Sequence, residues 1–192
     1  MRMIKNLFAL VGFVVVVASV VLGIKAKDIA GSFDPKAPEI YLELIENVLA
    51  TKSAAEATVW KVPVAEGLST DEVEEAMKLV ANELNIANVG ELPLYKDVTA
   101  KLGKEYRFVQ IYMFCNSLTA ALMLDYNDTF SAYLPCRITM VEDKAGKLWL
   151  MALNMDLMIY GGEPLPPALK EEAIKVKDII LEVMNRAAEG EF

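Results

Sequence analysis

Two cysteines carry all the thiol chemistry available to this 192-residue chain. Cys115 ends the apolar run "IYMFCNS" (111–117), and Cys136 follows a proline in "SAYLPCRITM" (131–140). If the two runs lie side by side as strands, the thiols come to the same end of a sheet. Three outcomes are then open: two small buried hydrophobes, a disulfide favoured by an oxidising compartment, or a reactive pair that handles sulfur or metal. Asn116, Pro135 and Arg137 would be the immediate neighbours of such a site. Arg137 alone could lower a thiol pKa there, yet as the strand neighbour of Cys136 it points to the other face. Met113, Met123, Met140, Met151, Met155 and Met158 cluster around the same region, and thioether with thiolate can hold Cu(I). Met140 and Met151 alternate as core residues do, which leaves Met155 and Met158 as the thioethers to test.

Other chemistries lack their side chains. The chain has no histidine, which removes the commonest general base, the Ser-His and Cys-His pairs, and imidazole ligation of zinc, copper or haem. Two cysteines 21 positions apart supply neither a C-x-x-C pair nor the four thiolates of an iron–sulfur cluster. No Walker-type or G-x-G-x-x-G loop is present, and the glycines at 161–162 read as a turn. "DYND" (125–128) lacks the glycine and distal glutamate of a calcium loop. Asn127-Asp128-Thr129 is formally a glycan acceptor. Glu72, Glu74 and Glu75 read as a solvated helix face, and no carboxylate pair suggests acid–base work. No catalytic residue, cofactor or metal is assigned, and the inventory points away from enzymology.

The most distinctive stretch is "LFALVGFVVVVASVVLGI", Leu7 to Ile24, without a charge and flanked by Lys5 and Lys25. At about 1.5 Å per residue a helix of this length reaches roughly 27 Å, close to a hydrocarbon core. A cleaved signal peptide would share the positive Arg2 and Lys5. It would carry a shorter apolar region and a small-residue cleavage site, which "KAKDIAGS" does not provide. The expectation is a retained anchor in the cytoplasmic membrane, its short end inside and the body on the periplasmic or extracellular side. Setting aside Arg2, Lys5, Lys25 and Lys27 leaves 15 basic against 27 acidic residues, a formal charge of −12. Such a surface repels phosphate backbones, so nucleic acid is not an expected partner.

The elements that position the cysteines follow from periodicity. "EIYLELIENVLA" carries Tyr41, Leu44, Ile45 and Val48 on one helical stripe, expected to seat the body near the membrane. "ATVWKVPVA" alternates as a strand, and Pro63 places it at an edge or a bulge. In "LSTDEVEEAMKLVANELN", Ser69 or Thr70 can cap a helix whose first turn is acidic. A strand and a short irregular or helical piece ending at Gly103 follow. "RFVQIYMFCN" reads as a central strand, "SLTAALMLDYND" as a short helix capped by Ser117. "SAYLPCRITMVEDKAGKLWLMALN" reads as a hairpin turning at Gly146. The chain then enters a long amphipathic helix with Pro166 or Pro167 in its first turn. Its stripe is Leu169, Ala173, Val176, Ile180 and Val183, and Gly190 ends it. The order is β-α-β-β-α-β-β-α. It predicts an α+β domain with a mainly antiparallel sheet and helices packed on one face, preceded by a single N-terminal transmembrane helix.

From Phe114 to Leu153 the pattern is more specific. A strand ending in Cys115-Asn116 leads to an Ala/Leu helix. Leu134-Pro135-Cys136 then opens a hairpin strand that runs into Val141-Glu142-Asp143 and on to Gly146-Lys147. This resembles the bacterial and archaeal family known as domain of unknown function 302, over about residues 58 to 156. The resemblance implies a curved antiparallel sheet with helices against it, similar to the TATA-binding-protein-like group, and no established reaction. The expected organisation is an anchor (1–29), a linker and packing helix (30–56), the α+β core (57–160) and a C-terminal amphipathic helix (161–192). The expected role is a membrane-anchored, non-catalytic accessory or binding domain that engages a protein partner or a second copy of itself. The bilayer would be contacted through Leu7 to Ile24. A thiol-based redox or sulfur-handling protein using Cys115 and Cys136, or a small-ligand-binding domain, are the alternatives.

Overall fold

The computed structural model describes residues 12, 13, 15–17, 23 and 31–191. Most of the Leu7 to Ile24 stretch lies outside the described residues, as does Phe192. Among the described residues, no helix is long and apolar enough to cross a membrane.

The sheet has five strands in the order β1-β5-β4-β3-β2, every neighbouring pair antiparallel. They are β1 (Val59–Pro63), β2 (Ala87–Leu92), β3 (Val109–Cys115), β4 (Cys136–Glu142) and β5 (Leu148–Leu153). Pro63 lies in the edge strand β1, where its missing N–H costs no ladder bond. The β4–β5 turn is closed by Asp143, whose Oδ1 accepts from Ala145 N at 2.8 Å and Lys147 N at 3.0 Å. Gly146 takes the positive φ (83°) that this turn requires.

In chain order the helices are α1 (Ala37–Thr51), α2 (Ala54–Ala57), α3 (Thr70–Glu83), α4 (Leu94–Leu102), α5 (Ser117–Tyr126), α6 (Asp156–Tyr160) and α7 (Pro167–Glu189). The α3 start is a full capping box: Glu72 N donates to Ser69 Oγ at 3.3 Å and Ser69 N donates to Glu72 Oε2 at 2.8 Å. The stripe predicted for α7 is its buried face, from Leu169 through Ala173, Val176 and Ile180 to Val183. Helices α3 and α7 pack along each other, and α7 crosses β1, β4 and β5. The sheet face beneath them carries Tyr112, Phe114, Ile138, Met140 and Leu150, all fully buried. Truncating Ile138 there to alanine removes about 2–5 kcal/mol of packing.

Two expectations are corrected. The cap of α5 is Asn116, not Ser117: Asn116 Oδ1 accepts from Leu118 N and Thr119 N, both at 3.1 Å. In α1, the predicted stripe is only partly used. Leu44 and Val48 are half-buried, whereas Tyr41 and Ile45 are 42% and 54% exposed. Among the described residues no second helix covers that face, so helical periodicity there marks an apolar surface that these residues leave uncovered.

Candidate functional site

The ladder between β3 and β4 sets the geometry of the thiols. Phe114 is the cross-strand partner of Cys136, and partners share a face while successive residues alternate. Cys136 therefore leaves the sheet on the helix-covered side, where it packs on the core, and Cys115 leaves on the open side. Both are free thiols. Burial, with the neighbouring Cys115, pushes the Cys136 thiol up to about 11; the Arg137 charge acts in the opposite direction and is outweighed.

The two cysteines nonetheless line one cavity of about 290 Å³. It wraps round the sheet where β3 ends and β4 begins. Arg137, Thr139 and Met151 line it from the open face; Met123, Cys136 and Ile180 line it from the helix-covered side. Six of the lining side chains carry sulfur: Cys115, Met123, Cys136, Met151, Met155 and Met158. Soft, adaptable walls of this kind suit an apolar guest of variable shape. Asn116 and Arg137 also reach the cavity, whereas Pro135 does not, although the preceding Leu134 does. Asn116 Oδ1 is engaged in the α5 cap. Thr119, buried in the wall, donates from Oγ1 to Glu172 Oε2 at 3.1 Å. Arg137 is exposed and is the one charged residue of the lining. Among the described residues its guanidinium makes no ion pair or hydrogen bond.

A second cavity of about 170 Å³ lies beneath α1 and shares Tyr133, Leu153 and Met158 with the first. Sequence reasoning found the Cys115–Arg137 neighbourhood and kept a small-ligand-binding domain as an alternative, but did not place the walls of the hollow. Its far wall comes from α7, more than 30 positions downstream of Cys136, and no local signal announces that approach.

One carboxylate departs from its expected role. Glu74 is not a solvated helix residue. It is half-buried and accepts from Tyr112 Oη at 2.6 Å and Gln110 Nε2 at 3.0 Å. Lys78 Nζ bridges Glu74 Oε1 at 2.6 Å and Glu91 Oε1 at 2.7 Å. This network fastens α3 to β3 and β2, and none of its residues lines the cavity. Asn127, the formal glycan acceptor, holds the turn after α5 by accepting from Thr129 N at 2.9 Å.

A family model, Domain of unknown function DUF302, matches residues 60–187. The chain belongs to this family. The match runs past the 58–156 stretch that carries the sequence resemblance and takes in nearly all of α7, in keeping with that helix's place in the DUF302 core. A solved structure similar to this DUF302 protein is the "uncharacterized conserved protein DUF302 from Bacillus stearothermophilus". It is 18% identical, with a TM-score of 0.55, and the likeness covers 68% of this chain and 98% of that one. It shows the shared fold. No curated protein matches the chain.

Proposed function

We propose that the protein is a membrane-tethered, non-catalytic binding domain whose cavity holds a small, largely apolar molecule. The cavity carries this reading. It approaches the roughly 300 Å³ at which small-ligand sites begin, and its wall is apolar apart from a few polar groups, of which Asn116 Oδ1 and Thr119 Oγ1 are already hydrogen-bonded. The tether rests on the uncharged Leu7 to Ile24 run. Phe13 and Val15 to Val17, described within it, are helical and apolar and are 44–67% exposed. A body outside the cytoplasmic membrane follows from the usual orientation of a lone N-terminal anchor.

The protein-partner or self-association part of the reading has separate support. Leu42, Ile45 and Leu49 lie on one face of α1 at 60%, 54% and 71% exposure, an apolar stripe that a partner would cover. Thiol-based redox use of Cys115 and Cys136 has their shared cavity in its favour and the raised Cys136 pKa against it.

The test uses the full chain in lipid nanodiscs. Native mass spectrometry is expected to find a retained small molecule, and Ala120→Phe, which fills the cavity from α5, is expected to release it. A wild-type protein that carries nothing, and that binds no more 1-anilinonaphthalene-8-sulfonate than empty nanodiscs, would remove the binding role. Carbonate extraction tests the tether: a chain washed from membranes by it is not anchored.

A further inference from the structure

We infer that the ligand is a single-chain amphiphilic anion, its carboxylate or phosphate ester held by Arg137 and its hydrocarbon tail laid into the cavity. This deepens the binding role above and rests on it. The argument is one of charge and surroundings. The body carries a formal charge of −12, so its average field repels anions. Against that field, the one charged group in the lining is a cation, and no acidic residue lines the cavity with it. Arg137 is flanked across the ladder by Met113, and among the described residues no carboxylate neutralises it. An arginine whose fork of donors is unclaimed, at the edge of an apolar hollow, matches a planar bidentate anion with an apolar extension.

Depth sorts the two ends of such a guest. Arg137 is exposed, so its guanidinium meets the head group at the solvent side. Met123 and Ile180, buried under the helices at 3% and 1% exposure, receive the tail. A neutral hydrocarbon would leave the guanidinium unpaired, and a compact anion would leave the hollow empty. The smaller cavity under α1, sharing Tyr133, Leu153 and Met158 as a wall, gives longer tails a direction in which to extend.

The test titrates full-length protein in nanodiscs with 1-¹³C-decanoate and with 1-¹³C-decanol, using empty nanodiscs as the baseline. Decanoate is expected to give a bound carboxyl resonance and to bind at least about tenfold more tightly than decanol, as loss of charge-assisted hydrogen bonds predicts. Arg137→Gln is expected to erase that preference while leaving decanol affinity within about twofold, and Arg137→Lys to restore part of it. Arg137 is an exposed strand residue, so both variants are expected to fold, and their melting curves check this. Equal binding of the two probes, or a decanoate preference unchanged in Arg137→Gln, overturns the anion assignment and leaves the binding role standing. Binding of neither probe overturns the anion assignment too; the retained-molecule measurement then decides the binding role separately.

Discussion

The Tyr112 hydroxyl, on a residue with no exposed surface, donates a 2.6 Å hydrogen bond to Glu74 Oε2, joining strand β3 to helix α3 across 38 positions of sequence. Burial and the adjoining carboxylates push the Tyr112 phenol far above its ordinary value, so it stays a donor at every working pH. Burial opposes the Glu74 charge, but the bonds from Lys78, Tyr112 and Gln110 outweigh it and hold its carboxyl below the ordinary value of 4.5. For Lys78, burial is likewise outweighed by Glu74 and Glu91, which raise its pKa.

Glu74→Gln is expected to cost about 1–3 kcal/mol of stability at pH 7, measured by urea denaturation. Glu74 has a depressed folded-state pKa, so its contribution is complete above about 4.5 and is lost as the pH falls through the folded value. The wild type is therefore expected to lose stability on acidification below that point, and the variant to lose less. Parallel pH profiles for the two proteins would contradict this.

Cys136 is expected to resist alkylation. With a thiol near 11, about one molecule in a thousand is thiolate at pH 8. Iodoacetamide labelling of the native protein, followed by peptide mass spectrometry, is expected to run at least about 100-fold slower at Cys136 than in urea. Its rate is expected to climb about tenfold per pH unit toward 11. Rapid native labelling at neutral pH would revive a reactive-thiol role.

Asp34 ties the segment before α1 to the C-terminal helix. Its carboxylate pairs with Lys170, its Oδ1 accepts from Lys36 N at 3.0 Å, and its own N–H reaches Gly162 O at 2.8 Å. Asp34→Ala is expected to lower hydrogen-exchange protection in the first turns of α1 by about tenfold or more, with the α3 amides unaffected. Equal protection in both proteins would mean that the Tyr41 bond to Gly161 O, at 2.7 Å, suffices alone.

Adjacent glycines 161 and 162 are expected to differ sharply. A Cβ on Gly161 would stand 2.4 Å from the Leu157 carbonyl oxygen, whereas one on Gly162 meets nothing within 4 Å. Gly161→Ala is expected to cost about 2–4 kcal/mol by distorting the end of α6, and Gly162→Ala less than about 0.5 kcal/mol. Thermal melts of the pair check this directly.

The sequence alone determined the local architecture wherever a side chain's neighbours in space are also its neighbours in sequence. The Ser69 cap, the Gly146 turn, the edge position of Pro63 and the buried stripe of α7 all follow from spacing and backbone chemistry over a few residues. Tertiary structure decided what no short window contains. Glu74 looks like any surface acid until Gln110 and Tyr112 are laid beside it. Cys115 and Cys136 look like a pair until the register sends them to opposite faces, since a one-residue offset in a strand reverses the side. The helix-covered wall of the cavity forms because α7 returns across β4 and β5, and the apolar stripe of α1 stays exposed among the described residues. Periodicity records which face of an element is apolar; only the assembled fold settles what, if anything, meets that face.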